Sequence, residues 1–160
     1  MQVRRFEFDG RVEEKGGQQF VSGRGFYGDG FTRIHRVEPH GFASSPPKGS
    51  KGLIVSTDPD NAYVLGLEHP GHRPNDLPAG CSAIYDASGN IIKVLGGDGI
   101  VINVAGSAYS ITKSGVTLTV SDAGVDITGG YLKVNGVRVD ETHTHGGVVP
   151  GSGNSDVPNG

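Results

Sequence analysis

The residues whose types and spacing best suit ligand chemistry are His143 and His145, in the run Asp140-Glu-Thr-His-Thr-His-Gly-Gly147. In extended backbone, side chains at i and i+2 point the same way, so both imidazoles face one side. Such a pair supplies half of a tetrahedral metal site or a third of an octahedral one. No cysteine is near, and Asp140 and Glu141 are the adjacent carboxylates. Three arrangements are open. The two histidines can simply sit in a solvated tail. They can be part of an enzymatic metal site, as in cupins or amidohydrolases, but that needs further ligands downstream or a far longer chain, and only Asp156 follows. Or symmetry can complete the site: three chains on a threefold axis bring six imidazoles. Zn²⁺ prefers four ligands, whereas a d-block ion such as Fe²⁺ accepts six, so that cage favours iron. With no open position, its metal would be structural rather than catalytic.

Other reactive side chains carry less. Asp98, Asp122 and Asp126 invite comparison with the carboxylates of a glycosidase. Asp98 and Asp122, however, lie in glycine corners, where aspartate is a turn former. Gly96-Gly97-Asp98-Gly99 is no phosphate loop, since no Lys-Ser/Thr follows and no helix opens after it. His35, His40, His69 and His72 are scattered and read as loop or surface residues. Ser44-Ser45 has no His/Asp order suggesting a triad, and Cys81 reads as a small buried residue. No catalytic residue is expected, and the chain reads as a non-enzyme.

The elements that must position His143 and His145 are glycine-punctuated strands. Glycine supplies 28 of 160 residues and proline 9, while only 34% are apolar and tryptophan is absent. Average domains carry glycine near ~7%, and each helical glycine costs roughly 1 kcal/mol, so long helices are excluded. A chain this poor in apolar residues struggles to bury a sizeable core alone. The net charge of −3, without runs of like charge, indicates neither a nucleic-acid footprint nor a polybasic membrane patch. No apolar run is long enough to span a bilayer, and the charged first ten residues lack a signal peptide's apolar stretch. A single cysteine fits synthesis in a reducing compartment.

Composition shifts near residue 80. All six phenylalanines lie between Phe6 and Phe42, and ten of the fourteen Lys and Arg precede residue 75. In the front region, stretches 19–24, 31–37, 52–57 and 63–68 are strand-like, separated by turn clusters such as Gly28-Asp29-Gly30 and Pro46-Pro47-Lys48-Gly49. They suggest a small antiparallel barrel. Residues 69–79 read as a linker. Behind it, segments 83–86, 91–95, 100–105, 108–112, 116–121, 125–128, 131–134 and 137–139 repeat with a turn signal at nearly every corner. That regularity predicts a β-solenoid or β-helix. Its inward set, Val116, Leu118, Val120, Val125, Ile127, Leu132, Val134, Val137 and Val139, is thin. It makes a core only if several chains share an axis.

The stretch His40-Gly-Phe-Ala-Ser-Ser-Pro-Pro-Lys-Gly49, then Leu53-Ile54-Val55, Pro78-Ala-Gly80 and Ala83-Ile-Tyr-Asp-Ala-Ser-Gly-Asn90, resembles the phage baseplate assembly protein V family. The closer likeness is to the central spikes of Mu-like contractile phages, whose H-x-H and glycine-rich tail are matched by His143-Thr144-His145-Gly146-Gly147. It covers roughly residues 20–160; Cys81 stands where the family commonly has Glu. The resemblance implies an all-β homotrimer: an N-terminal OB-like barrel, then an intertwined trimeric β-helix needle with a metal-bound tip. The expected divisions are an unassigned segment 1–19, the barrel 20–80, the needle 81–140 and the tip 141–160. It further implies one Fe ion per trimer on six histidines, His143 and His145 of each chain. The barrel would dock on the tail hub protein, and the tip would meet the host outer membrane on sheath contraction, placing the chain at the baseplate tip of the virion. Two rival readings are a trimeric β-helical tailspike or adhesin acting on surface polysaccharide, and the equivalent spike of a tailocin or type VI apparatus. The tailspike reading needs aromatic platforms, and the region behind residue 80 offers three Tyr, no Phe and no Trp.

Overall fold

The computed structural model describes residues 1–58, 61–140 and 151, and among these the regular structure is thirteen strands with no helix. The chain divides into two compact units, Met1–Ala105 and Gly106–Gly160.

Five strands build the front: β1 (Gln2–Lys15), β2 (Gln18–Gly25), β3 (Gly30–Arg36), β4 (Lys51–Asp58) and β5 (Asn61–Glu68). They close into a barrel in the order β1-β2-β3-β5-β4, with β4 returning to β1. Residues 1–19, unassigned in the sequence, thus supply the longest strand. β1 pairs with β4 from Gln2 to Glu7 and with β2 from Phe6 to Lys15, so one strand serves both sides of the closure. A bulge between Phe8 and Val12 lets it bend. Gly10 takes φ 98° there, and the Asp9 carboxylate braces the bend by accepting the Arg11 backbone N–H at 3.0 Å and its guanidinium Nε at 3.0 Å. The remaining seam is a short parallel contact, His35 beside Tyr63 and Arg36 beside Val64.

Alternation along these strands sends Phe6, Phe8, Val21, Ile54, Val64 and Leu67 inward, with Phe31, Ile34 and Ala62 packed against them. Fully burying each such side chain contributes on the order of 2 kcal/mol. A Cβ on Gly52 would come within 2.7 Å of the Leu65 carbonyl oxygen on the paired strand β5, so these strands meet too closely for a side chain there.

After the barrel the chain continues with β6 (Ser82–Tyr85), β7 (Ile91–Leu95), β8 (Gly99–Asn103), β9 (Ala108–Lys113), β10 (Val116–Ser121), β11 (Gly124–Thr128), β12 (Leu132–Val134) and β13 (Val137–Val139). All eight expected segments are present, with bounds that differ by at most two residues. Within one chain they pair antiparallel, as the sheets β6-β7-β8, β11-β10-β9 and β12-β13. Between residues 69 and 140 no side chain is buried. Every buried hydrophobic residue of the described chain belongs to the barrel.

Candidate assembly interface

The register of each rear sheet sorts its side chains by chemistry. In β9-β10-β11, Leu118 lies between Ile111 and Ile127, and Val120 between Tyr109 and Val125. The alternate residues place Thr117 between Thr112 and Thr128, and Thr119 between Ser110 and Asp126. One face is therefore aliphatic and the other a ladder of hydroxyls, with Thr112 and Thr117 Oγ1 atoms 3.0 Å apart. In β6-β7-β8 the row Ile84–Ile92–Ile102 sits next to Val94–Ile100 on one face. In β12-β13 Leu132 opposes Val139 and Val134 opposes Val137, while Lys133 and Arg138 take the other face. There the Arg138 guanidinium lies 4.5 Å from the Tyr131 ring centroid.

These aliphatic faces are uncovered. Ile84 is 64% exposed, Ile100 70%, Val125 70% and Val137 67%. Single scattered apolar residues on a surface are ordinary, but a whole aliphatic face on three successive sheets is a surface built to be covered. Val116, Leu118, Val120, Val125 and Ile127 of the expected inward set share one face, as do Leu132, Val134, Val137 and Val139.

The stretch His40–Gly49 is a loop fastened at two points. Arg36, buried at the end of β3, donates to the Gln19 Oε1 at 2.7 Å, the Ser44 carbonyl at 2.9 Å and the Ser44 hydroxyl at 2.8 Å, and it pairs with Glu38 at 2.8 Å. Ser44 donates its own hydroxyl to the Glu38 carboxylate at 2.8 Å, so the charged pair is hydrogen-bonded on both sides. At the other end, Gly49 N–H donates to the Phe8 carbonyl and Phe8 N–H to the Ser50 carbonyl, both at 2.9 Å. Ser50 is fully buried and gives its hydroxyl to the Pro47 carbonyl at 2.7 Å. The proline pair thus lies between two anchors, and Ser44 is part of one of them.

The stretch Tyr85–Asn90 turns from β6 to β7 around the Asp86 carboxylate. It accepts the Asn90 side-chain amide at 2.6 Å and the backbone N–H groups of Ser88 at 2.8 Å and Asn90 at 3.0 Å. The Asn90 side chain and then these backbone donors hold the carboxyl below its usual range. Gly89 takes φ 99° in this turn, a conformation glycine reaches without strain. On the barrel wall, Lys51 holds the Glu7 carboxyl low, and Arg33 does the same to Glu13.

His143 and His145, with Glu141, lie outside the described residues. Among the described residues no group of three or more His, Cys, Asp or Glu could hold a metal ion. Asp98 and Asp122 occupy turns, as their glycine neighbours predict. Asp126 sits on the hydroxyl face opposite Thr119. Cys81 is half-buried rather than buried, and its thiol is free. His35 is not a loop residue. It stands in β3 between the rings of Phe20, at 5.6 Å, and Tyr63, at 5.9 Å, because cross-strand register stacks them. His69 and His72 lie ring to ring at 4.4 Å, and the buried Nδ1 of His69 has no hydrogen-bond partner among the described residues. Two features escape sequence reasoning: the Arg36–Glu38–Ser44 latch, and an exposed Phe26-Tyr27 pair beside the Gly28-Asp29-Gly30 turn. The adjacent aromatics next to a turn were the available signal for the second.

Comparison with known proteins bears on the barrel. Residues 10–71 match the family model described as bacteriophage Mu Gp45, N-terminal, a span that begins at the β1 bulge and runs through β5. No curated protein matches the chain. Residues 10–71, which hold the latched loop and all of the barrel but the first half of β1, thus match the N-terminal model of the Mu-like baseplate spike family.

Proposed function

We propose that the chain is the central spike of a contractile phage tail, a non-enzymatic homotrimer that pierces the host outer membrane when the sheath contracts. The family of residues 10–71 supports a structural part in a phage baseplate, in the virion tail and in association with other tail proteins. One observation carries the finer reading: three successive sheets with an aliphatic face and no buried side chain between residues 69 and 140. Among the described residues of a single chain nothing covers those faces. Copies of itself around an axis do, with each apolar face turned inward and the hydroxyl and Lys-Arg faces outward to water. The rear strands then form the intertwined needle, and the force of contraction is delivered over its small end.

At that end His143 and His145 of three copies would hold one iron ion. Neutral imidazole nitrogens suit a d-block ion, and six of them leave no position for substrate. When bound, the ion would pin three chain ends together. Its loss on acidification below about pH 6 follows from imidazole protonation.

The test is the mass of the purified full chain at micromolar concentration together with its metal content. A trimer carrying one iron, which loses the iron but keeps its mass in the His143→Ala, His145→Ala double variant, is expected. A monomer would end the spike reading. Stoichiometric iron in the double variant, or one ion per chain, would end the shared site.

A further inference from the structure

The outer wall of the barrel carries a belt of apolar and aromatic side chains. Cross-strand register sets Val3 beside Val55, Val55 beside Tyr63, Tyr63 beside His35 and His35 beside Phe20. These residues come from β1, β4, β5, β3 and β2, so the belt touches every strand. A second row adds Leu53 beside Leu65. Leu53 and Val55 flank the core residue Ile54, and Tyr63 and Leu65 flank Val64, so they point outward. Val3 is 55% exposed, Leu53 46%, Tyr63 44% and Leu65 43%.

The belt has two sides of different chemistry. Across β1, β4 and β5 it is mainly aliphatic. Across β3 and β2 it is aromatic: the His35 and Phe20 rings lie 5.6 Å apart, and the Arg33 guanidinium stands 4.6 Å over Phe20. In the closed order β1-β2-β3-β5-β4, the seam between β1 and β4 lies across the barrel from β3. The flanking charges are largely settled within the chain, Arg33 with Glu13 at 2.8 Å and Lys51 with Glu7. A charged partner gains little from such a wall, whereas a like wall meets it with little repulsion. In a ring of copies each member has two neighbours, so it needs two different patches on opposite sides. The belt offers both.

We propose that the three barrels of the assembled protein pack head to tail into a ring, the aliphatic side of one belt against the aromatic side of the next. The proposal rests on the spike reading, which joins the copies through their rear sheets, and adds a contact between their heads. Joining the rear sheets raises the effective concentration of the barrels to the order of millimolar, so a contact too weak to hold separate chains still forms.

Maleimide labelling of the purified full chain tests this contact, with Cys81→Ser as background and the oligomer mass measured on the same sample. The probes are Leu53→Cys and Leu65→Cys on the belt, with Lys15→Cys, exposed at the end of β1, as the control. In the assembled protein the belt cysteines are expected to react roughly tenfold or more slowly than the control. Adding Leu118→Lys, to separate the copies, should restore the control's rate. Should one belt cysteine disturb assembly, the other decides. Equal rates in an intact trimer overturn the ring and leave the spike reading standing. Slow labelling that persists in separated chains also overturns it, because the protection then comes from the chain's own fold. A chain that is monomeric without Leu118→Lys overturns the spike reading itself.

Discussion

Gly23 shows how tightly single residues fix this barrel. A Cβ there would stand 2.2 Å from the Glu7 carbonyl oxygen and 2.5 Å from Cζ of Phe6. The first of these is backbone and the second a buried core ring, so neither can move aside cheaply. Gly23→Ala is expected to destabilise the protein by about 3 kcal/mol, the upper end of ordinary overpacking costs, read as a lowered denaturant midpoint. Gly28→Ala, with open space around the missing Cβ but φ 81°, should cost only backbone strain. The glycine excess was legible in the composition, but which glycines are sterically required was not. That requirement is set by residues distant in sequence, here Glu7 and Phe6.

At the scale of elements, legibility followed alternation. β10 reads Val-Thr-Leu-Thr-Val-Ser, and its two faces could be assigned from sequence alone. β1 reads Gln-Val-Arg-Arg-Phe-Glu-Phe-Asp-Gly-Arg-Val-Glu-Glu-Lys. Only Phe6 and Phe8 in it are buried, and the bulge at Gly10 breaks the period, so the longest strand gave no clear signal. The Arg36 latch was hidden for another reason, since its partners Gln19, Ser44 and Gly66 come from three separate elements. The Asp86 turn supports a prediction of its own. Because its carboxyl is held low in the folded turn, its contribution is full above the ordinary value of 3.8 and is lost as pH falls through the lower folded value. An NMR titration of the Ser88 and Asn90 amides should show a midpoint below 3.8. A midpoint at or above it would mean that the turn does not hold its carboxylate. Asp86→Asn should abolish the transition.

For the whole molecule, the contrast lies between a front that covers its own apolar residues and a rear that does not. Leu118, with Ile111 and Ile127 on either side, is central to the aliphatic face of its sheet. In the proposed assembly a lysine there would place a charge inside the core that the copies share, which costs several kcal/mol without a partner. Leu118→Lys should therefore disperse the assembly on sedimentation while leaving the barrel folded. Thr117→Lys, on the hydroxyl face, should leave the mass unchanged. Equal masses for both variants would mean that the aliphatic face is not the one that copies share. The candidate metal pair was legible as a motif, and the proposed site would need the same residues from further copies of the chain.

The closed barrel has a consequence in time as well. Its last strand, β5, ends at Glu68, whereas the first uncovered sheet begins at Ser82. The barrel's last strand thus leaves the ribosome ahead of every uncovered sheet. In the proposed trimer each nascent chain would carry a folded, edge-free head while its rear waits for two companions.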